Sequence, residues 1–177
     1  LWRAHDRGQF LVLSERSPVG NDLFLTPEVK KFEPQLAVGD RLQFVLRVNA
    51  TKDRAAIGRL NKGEQGRQHR RVDVVMDSLH ALPPEARPAQ REELTMQAAK
   101  SWMVNQAKLR GFAIDELVVD AYQTIKISRG KTRATLGVLD LSGRIRVETP
   151  HDLLAAIARG FGRGKAWGCG LMLIRRA

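Results

Sequence analysis

Between Arg159 and Leu171 the chain carries five glycines, three cations and no carboxylate, with a helical pattern before the segment and an apolar run after it. Glycine lets a backbone take positive φ and approach another molecule closely. The segment therefore reads as a tightly turned link from a helix into a strand at Leu171 to Ile174. A mononucleotide P-loop runs the other way, from strand through loop to helix. It also needs Gly where Arg159 stands and Ser or Thr where Ala166 stands. The dinucleotide pattern G-x-G-x-x-G fails because Lys165 occupies its last glycine. No nucleotide cofactor is expected. Exposed amides beside Arg163 and Lys165 still suit a phosphate group.

Charge narrows the partner. The 177 residues carry a net charge of +11 at a sequence pI near 10.6, with 43% hydrophobic residues. That is a globular composition with a preference for a polyanion, nucleic acid before membrane. A merely basic protein would scatter its cations, whereas these cluster. Arg41 to Arg71 holds nine basic residues and two acidic ones, and Lys126 to Arg133 holds four basic residues and no acid. The single cysteine, Cys169, excludes an internal disulfide and fits a reducing, cytoplasmic setting. Between two glycines and before an apolar strand, it reads as a buried thiol rather than a nucleophile. His5, His69, His80 and His151 form no metal-ligand spacing with one another or with Cys169, so no metal is expected. No apolar run reaches membrane-spanning length and no signal peptide is recognisable.

The order of elements points to an α+β fold. Gln9 to Leu13 is a short apolar strand. Leu42, Phe44, Leu46 and Val48 alternate with polar or exposed-type neighbours, as in a half-buried strand. Thr51 to Arg71 reads as a basic, mobile loop. Val72 to Val75 reads as a strand, and Arg91 to Arg110 as an amphipathic helix with Leu94, Ala98, Ala99, Trp102, Met103 and Leu109 inward. Glu116 to Ser128 follows as a strand with Leu117, Val119, Ala121, Gln123, Ile125 and Ile127 on one face. Arg129-Gly130-Lys131 is a hairpin tip, Thr132 to Leu141 returns, and Ser142-Gly143 allows a turn into Arg144 to Val147. Thr149 and Pro150 start a last helix, with Thr149 as its N-cap. The second part thus reads β-α-β-β-α-β, the split-βαβ or ferredoxin-like arrangement, whose open sheet face can meet RNA. The expected division is residues 1–68, a partial unit with the basic loop, and residues 69–177, a unit ending in the glycine loop.

Three segments carry a family resemblance. Gly160-Phe161-Gly162-Arg163-Gly164-Lys165-Ala166-Trp167-Gly168-Cys169-Gly170-Leu171 resembles the glycine-rich signature of CRISPR repeat endoribonucleases. It is most similar to that of the CasE (Cse-type) subfamily of type I-E Cascade, close to G-[IV]-G-x-x-K-[AS]-x-G-x-G-L. Phe44 to Lys52 resembles the family's F-R-L-R-A-N-P-x-K segment, and Val138 to Val147 its V-x-F-E-G-x-L-x-V strand pair. The resemblance implies tandem ferredoxin-like (RRM-like) domains, the first without its initial strand and helix. It implies binding of the stem-loop of CRISPR repeat RNA, assembly with other Cascade subunits and retention of the mature guide. The implied reaction is metal-independent cleavage at the 3′ base of the stem by 2′-hydroxyl attack. The family's catalytic histidine belongs to a first helix that has no counterpart in these residues, so none of the four histidines inherits the role.

Candidate RNA-binding residues fall into three sets, and the basic Thr51 to Arg71 segment is a further candidate RNA contact, with disorder as its alternative. Lys126, Arg129, Lys131 and Arg133 form a basic hairpin able to grip a stem, the alternative being a solvated tip. Gly162, Arg163, Gly164 and Lys165 form a backbone cradle, the alternative being a turn needed for packing; Gly168 and Gly170 read as packing. Arg47 and Asn49 are a third set, with plain sheet surface as the alternative. The competing functional readings are a non-catalytic RNA-binding module of the same fold and a structural subunit that binds proteins.

Overall fold

In chain order the elements are β1 (Trp2–Asp6), β2 (Gln9–Val12), β3 (Arg41–Val48), β4 (Thr51–Ala55), β5 (His69–Asp73), α1 (Val74–His80), α2 (Arg87–Leu109), β6 (Phe112–Arg129), β7 (Thr132–Val147), α3 (Pro150–Arg159) and β8 (Met172–Arg176). This is a computed structural model, and it describes residues 1–6, 8–20, 22–25, 27–55, 69–129 and 132–177. β6, β7, β3 and β8 form one antiparallel sheet in that order. Strand β3, then α1 and α2, then β6, β7, α3 and β8 complete the split-βαβ pattern.

The alternation in β3 works as expected. Leu42, Phe44, Leu46 and Val48 are buried, with Leu46 and Val48 at 0% exposure. They join Leu139, Leu141, Ile145 and Met172 of the neighbouring strands and face Val75, Trp102, Met103, Leu153 and Ile157 of the helices. Helices cover one sheet face, and the other carries Arg41, Gln43, Val45 and Arg47.

Several local expectations are corrected. The opening strand of the split-βαβ pattern is β3, not Val72 to Val75. That stretch divides into the end of β5 and the start of α1, because Asp73 caps the helix by accepting from the Val75 and Met76 amides at 3.0 and 2.9 Å. Aspartate at an N-cap satisfies amides that have no partner within the helix. The ends of the basic Thr51 to Arg71 segment are also strands: β4 and β5 pair antiparallel from Thr51↔Asp73 to Ala55↔His69. Its middle, 56–68, lies outside the described residues. The expected division at 68/69 falls inside this paired hairpin, and β3, from before it, lies between β7 and β8, from after it.

Ser142-Gly143 is not a turn. β7 runs continuously from Thr132 to Val147, and Gly143 permits a close approach in which a side chain there would collide with the Glu116 carbonyl. In β6 the register shifts between Val119 and Ala121. Such a bulge exchanges the faces of the residues beyond it. Tyr122 therefore packs on the core, and Ala121 and Gln123 are exposed. On α2, Leu109 is 80% exposed and Ala107 is buried. Two residues along a helix turn the side chain by about 200°. Thr149 makes no side-chain capping bond; Pro150 sits in the first turn of α3 as expected.

Besides the Asp73 cap, a second carboxylate ties the β4–β5 hairpin to α1. Asp77 accepts from Lys52 Nζ at 2.8 Å and Arg54 Nη1 at 2.7 Å. The Lys52 hydrogen bond, aided by the Arg54 charge, holds the Asp77 carboxyl below its ordinary 3.8. A depressed folded-state value contributes stability that is present above the unfolded value and lost as pH falls through the folded one. Asp77→Asn is expected to speed amide exchange in β4 and β5 at neutral pH while β3 and β7 stay protected. The parent chain should loosen the same hairpin only below about pH 3.8. Equal exchange in the two proteins at neutral pH would show that Asp77 does not anchor the hairpin.

Candidate nucleic-acid interface

The glycine loop leaves α3 at Gly160 and is stitched to the end of β3. Arg163 N donates to the Asn49 carbonyl at 3.1 Å, Gly170 N donates to the Arg47 carbonyl at 2.7 Å, and Phe161 N donates to the Gly170 carbonyl at 2.9 Å. A short 3-10 turn, Lys165–Trp167, follows Gly164. Gly162 takes φ +61° where it passes over Asn49, and a Cβ there would stand 2.6 Å from the Asn49 carbonyl oxygen. The loop is thus pressed against a strand end that admits no side chain at that point.

The loop presents two surfaces. Gly168, Cys169 and Gly170 are buried, and burial pushes the Cys169 thiol pKa up, so the thiol stays protonated. Arg163, Lys165 and Trp167 point outward, with Trp167 at 50% exposure. Neither Arg163 nor Lys165 has an ion-pair partner among the described residues. Packing thus accounts for glycines in both halves of the loop, Gly162 and Gly164 as well as Gly168 and Gly170, while the side chains of Arg163, Lys165 and Trp167 are left exposed.

Arg47 and Asn49 hold this loop in place. Arg47 grips Asp140 through Nε and Nη2 at 2.8 and 2.7 Å, and that bond raises its pKa. Asn49 is 5% exposed, and its Nδ2 donates to the Gly137 carbonyl at 2.7 Å. A buried amide bonded in this way is an anchor. Both side chains are engaged within the protein.

The β6–β7 ribbon meets the loop at its base, where Leu136 lies 3.2 Å from the position a Cβ on Gly164 would take. Leu136 pairs with Ile125, and the next pair is Lys126↔Thr135. Lys126 is exposed. The register continues through Ser128↔Arg133 to Arg129↔Thr132. Alternation then puts positions 126 and 133 on one ribbon face and position 129 on the other. Lys131 and the Gly130 tip lie outside the described residues, as do the Arg129 and Arg133 side chains.

Two residues were missed by sequence reasoning. Trp167 is an exposed aromatic two residues from Lys165, and an aromatic directly after two closely spaced cations was the available signal. Arg3, on β1, feels the charges of Asp140 and Arg47 with no ion pair to Asp140 among the described residues; burial lowers its pKa, and its Nη1 has no hydrogen-bond partner among the described residues. No local pattern marks Arg3, because β1 reaches the site only through the fold. Trp2 beside it packs its ring on Gly168.

A family model described as CRISPR associated protein matches residues 1–176. No curated protein matches the chain. Among solved structures, Cas6e from Escherichia coli str. K-12 superposes with a TM-score of 0.71 at 19% identity, over 100% of this chain and 84% of that one. Thermus thermophilus Cse3, bound to an RNA representing a pre-cleavage complex, gives a TM-score of 0.59 at 25% identity, over 82% of this chain and 58% of that one. The CRISPR endoribonuclease Cse3 bound to 19 nt RNA gives the same score and identity over 82% and 60%. The chain thus spans less than two thirds of the length of these RNA-bound proteins.

Positive φ and the close approach to Asn49 make Gly162→Ala costly, by ~1–3 kcal/mol, whereas Lys165→Ala should stay within ~0.5 kcal/mol of the parent. Urea unfolding measures both. A neutral Gly162→Ala would mean that the loop does not depend on this approach.

Proposed function

The chain belongs to the CRISPR-associated protein family, and from that premise we propose that it is a CasE-type repeat-RNA endoribonuclease that holds the stem-loop of a CRISPR repeat. The observation that carries the proposal is the outward Arg163 and Lys165, without ion-pair partners among the described residues, on a loop fastened beside the base of a long β-ribbon. The loop offers cations and amides to a phosphate. The ribbon, with Lys126 and the Arg129, Lys131 and Arg133 positions, offers a second cationic edge to the stem. Backbone contacts of this kind position a nucleic acid and supply most of its salt-dependent affinity.

In the proposed reaction the ribose 2′-oxygen attacks the adjacent phosphorus and the bond to the 5′-oxygen breaks. The products are a 2′,3′-cyclic phosphate and a 5′-hydroxyl. One proton leaves the 2′-hydroxyl and one reaches the departing oxygen, the work of a general base and a general acid. Lys165 and Arg163 stabilise the charge that builds on the non-bridging oxygens. No metal enters this scheme. Retention of the cut RNA, within an assembly of other Cascade subunits, follows from the contacts lying on the stem, which cleavage at its base leaves intact.

Filter binding with a repeat hairpin RNA tests the reading. Arg163→Ala and Lys165→Ala should each weaken binding and reduce the salt slope by about one unit for each phosphate that is no longer neutralised. An unaltered slope would remove the loop from the interface. Cleavage in EDTA that leaves a cyclic phosphate supports the metal-independent enzyme. Tight binding without cleavage supports the non-catalytic module, and absence of RNA binding supports a structural subunit.

A further inference from the structure

The open face of the four-stranded sheet holds a groove that the stem-binding reading does not use. It has a volume of about 740 Å³, within the ~300–1,000 Å³ of small-ligand sites. Its floor is apolar: Val45, Val118 and Leu173 lie on the solvent side of β3, β6 and β8, and Val45 and Val118 are 38% and 41% exposed. His5 of β1 also lines the groove, and Gln43, Arg144 and Arg175 stand at its rim.

The rim carries two arginines against one carboxylate, Glu116, which also lines the groove. Arg144 binds Glu116 at 2.8 Å and Arg175 donates to Gln43 at 2.7 Å. Further along the same face, Arg41 is directly opposite Arg146 in the β3–β7 register. Like charges directly opposite one another across a strand pair destabilise it. Arg41 reaches Asp115 only at 3.9 Å, and Arg146 has no ion pair among the described residues. A polyanion lying along this face would relieve that repulsion.

We infer that the groove binds an unpaired segment of the RNA whose stem is held by the glycine loop and ribbon. The inference rests on the proposed RNA-binding function. A paired stem hides its base faces in the stack, whereas unpaired nucleotides expose them. The apolar floor receives those base faces, and Arg144 and Arg175 take the phosphates between them. An apolar peptide strand would satisfy the floor but would leave Arg175 and Arg146, which have no ion pair among the described residues, without a counter-charge.

The test compares a repeat stem-loop alone with the same stem-loop carrying an unpaired extension at its 5′ or 3′ end, each titrated against the full chain over a salt series. With two phosphates bound in the groove, one extended RNA should show a slope steeper by about 1.4 and lose about sevenfold more affinity from ~50 to ~200 mM salt. The double substitution Arg144→Ala/Arg175→Ala, and separately Val45→Glu, should abolish that difference and leave the bare stem-loop unchanged. Circular dichroism identifies variants that fold. A 4-thiouridine in the extension should crosslink to peptides containing His5 or Leu173–Arg175. Identical slopes for bare and extended RNAs, or a crosslink confined to other peptides, would overturn the groove while stem binding stands. Failure of even the bare stem-loop to bind would overturn the function reading, and the groove with it.

Discussion

Everything at the site depends on how the end of β3 is tied down. Within three residues this strand end accepts from the Gly170 amide through Arg47 and from the Arg163 amide through Asn49, and gives the Asn49 side chain to the Gly137 carbonyl. Buried polar groups must be paired, and here the pairing joins three segments distant in sequence. The loop leaving α3, the base of the β6–β7 ribbon and the central strand become one rigid corner. Without it, five glycines in a single link would be the most mobile part of the chain. With it, the loop's cations are held at a constant place beside the ribbon.

The sheet divides its labour between faces. On the helix side, β3 alternation buries Leu42, Phe44, Leu46 and Val48 against α1, α2 and α3. On the other side the same strand presents Arg41, Gln43, Val45 and Arg47, and its neighbours add Arg144, Arg146 and Arg175. Charge that weakens the isolated sheet is tolerated because the buried face supplies the stability. Cations held on a folded platform are preorganised for a polyanion, since they need no rearrangement to meet it.

Legibility followed the range of the interactions. Arg163 and Lys165 were recognisable as candidates for a phosphate because no carboxylate lies between Arg159 and Leu171. Gly168, Gly170 and Cys169 were recognisable as packing because an apolar strand follows at once. Arg47 and Asn49 looked like possible contacts because their partners, Asp140 and Gly137, lie about ninety residues away. Asp73 was hidden among β-branched neighbours, although its carboxylate caps α1 and also accepts from the Tyr122 hydroxyl at 3.0 Å.

By itself the sequence determined the elements that local periodicity encodes: the half-buried strand at 41–48, the long helix over Trp102 and Met103, the paired strands around 112–147, the last helix and the glycine link. It also determined the excess of positive charge and the family signature at the C-terminal end. Tertiary structure alone decided which strand opens the sheet, that β3 lies between β7 and β8, where the bulge in β6 exchanges faces, and that Arg47 pairs with Asp140. The reason is physical. Alternation and helical spacing are written into neighbouring residues, whereas strand order, register and the choice of ion-pair partner arise only when distant segments compete to bury the same surface.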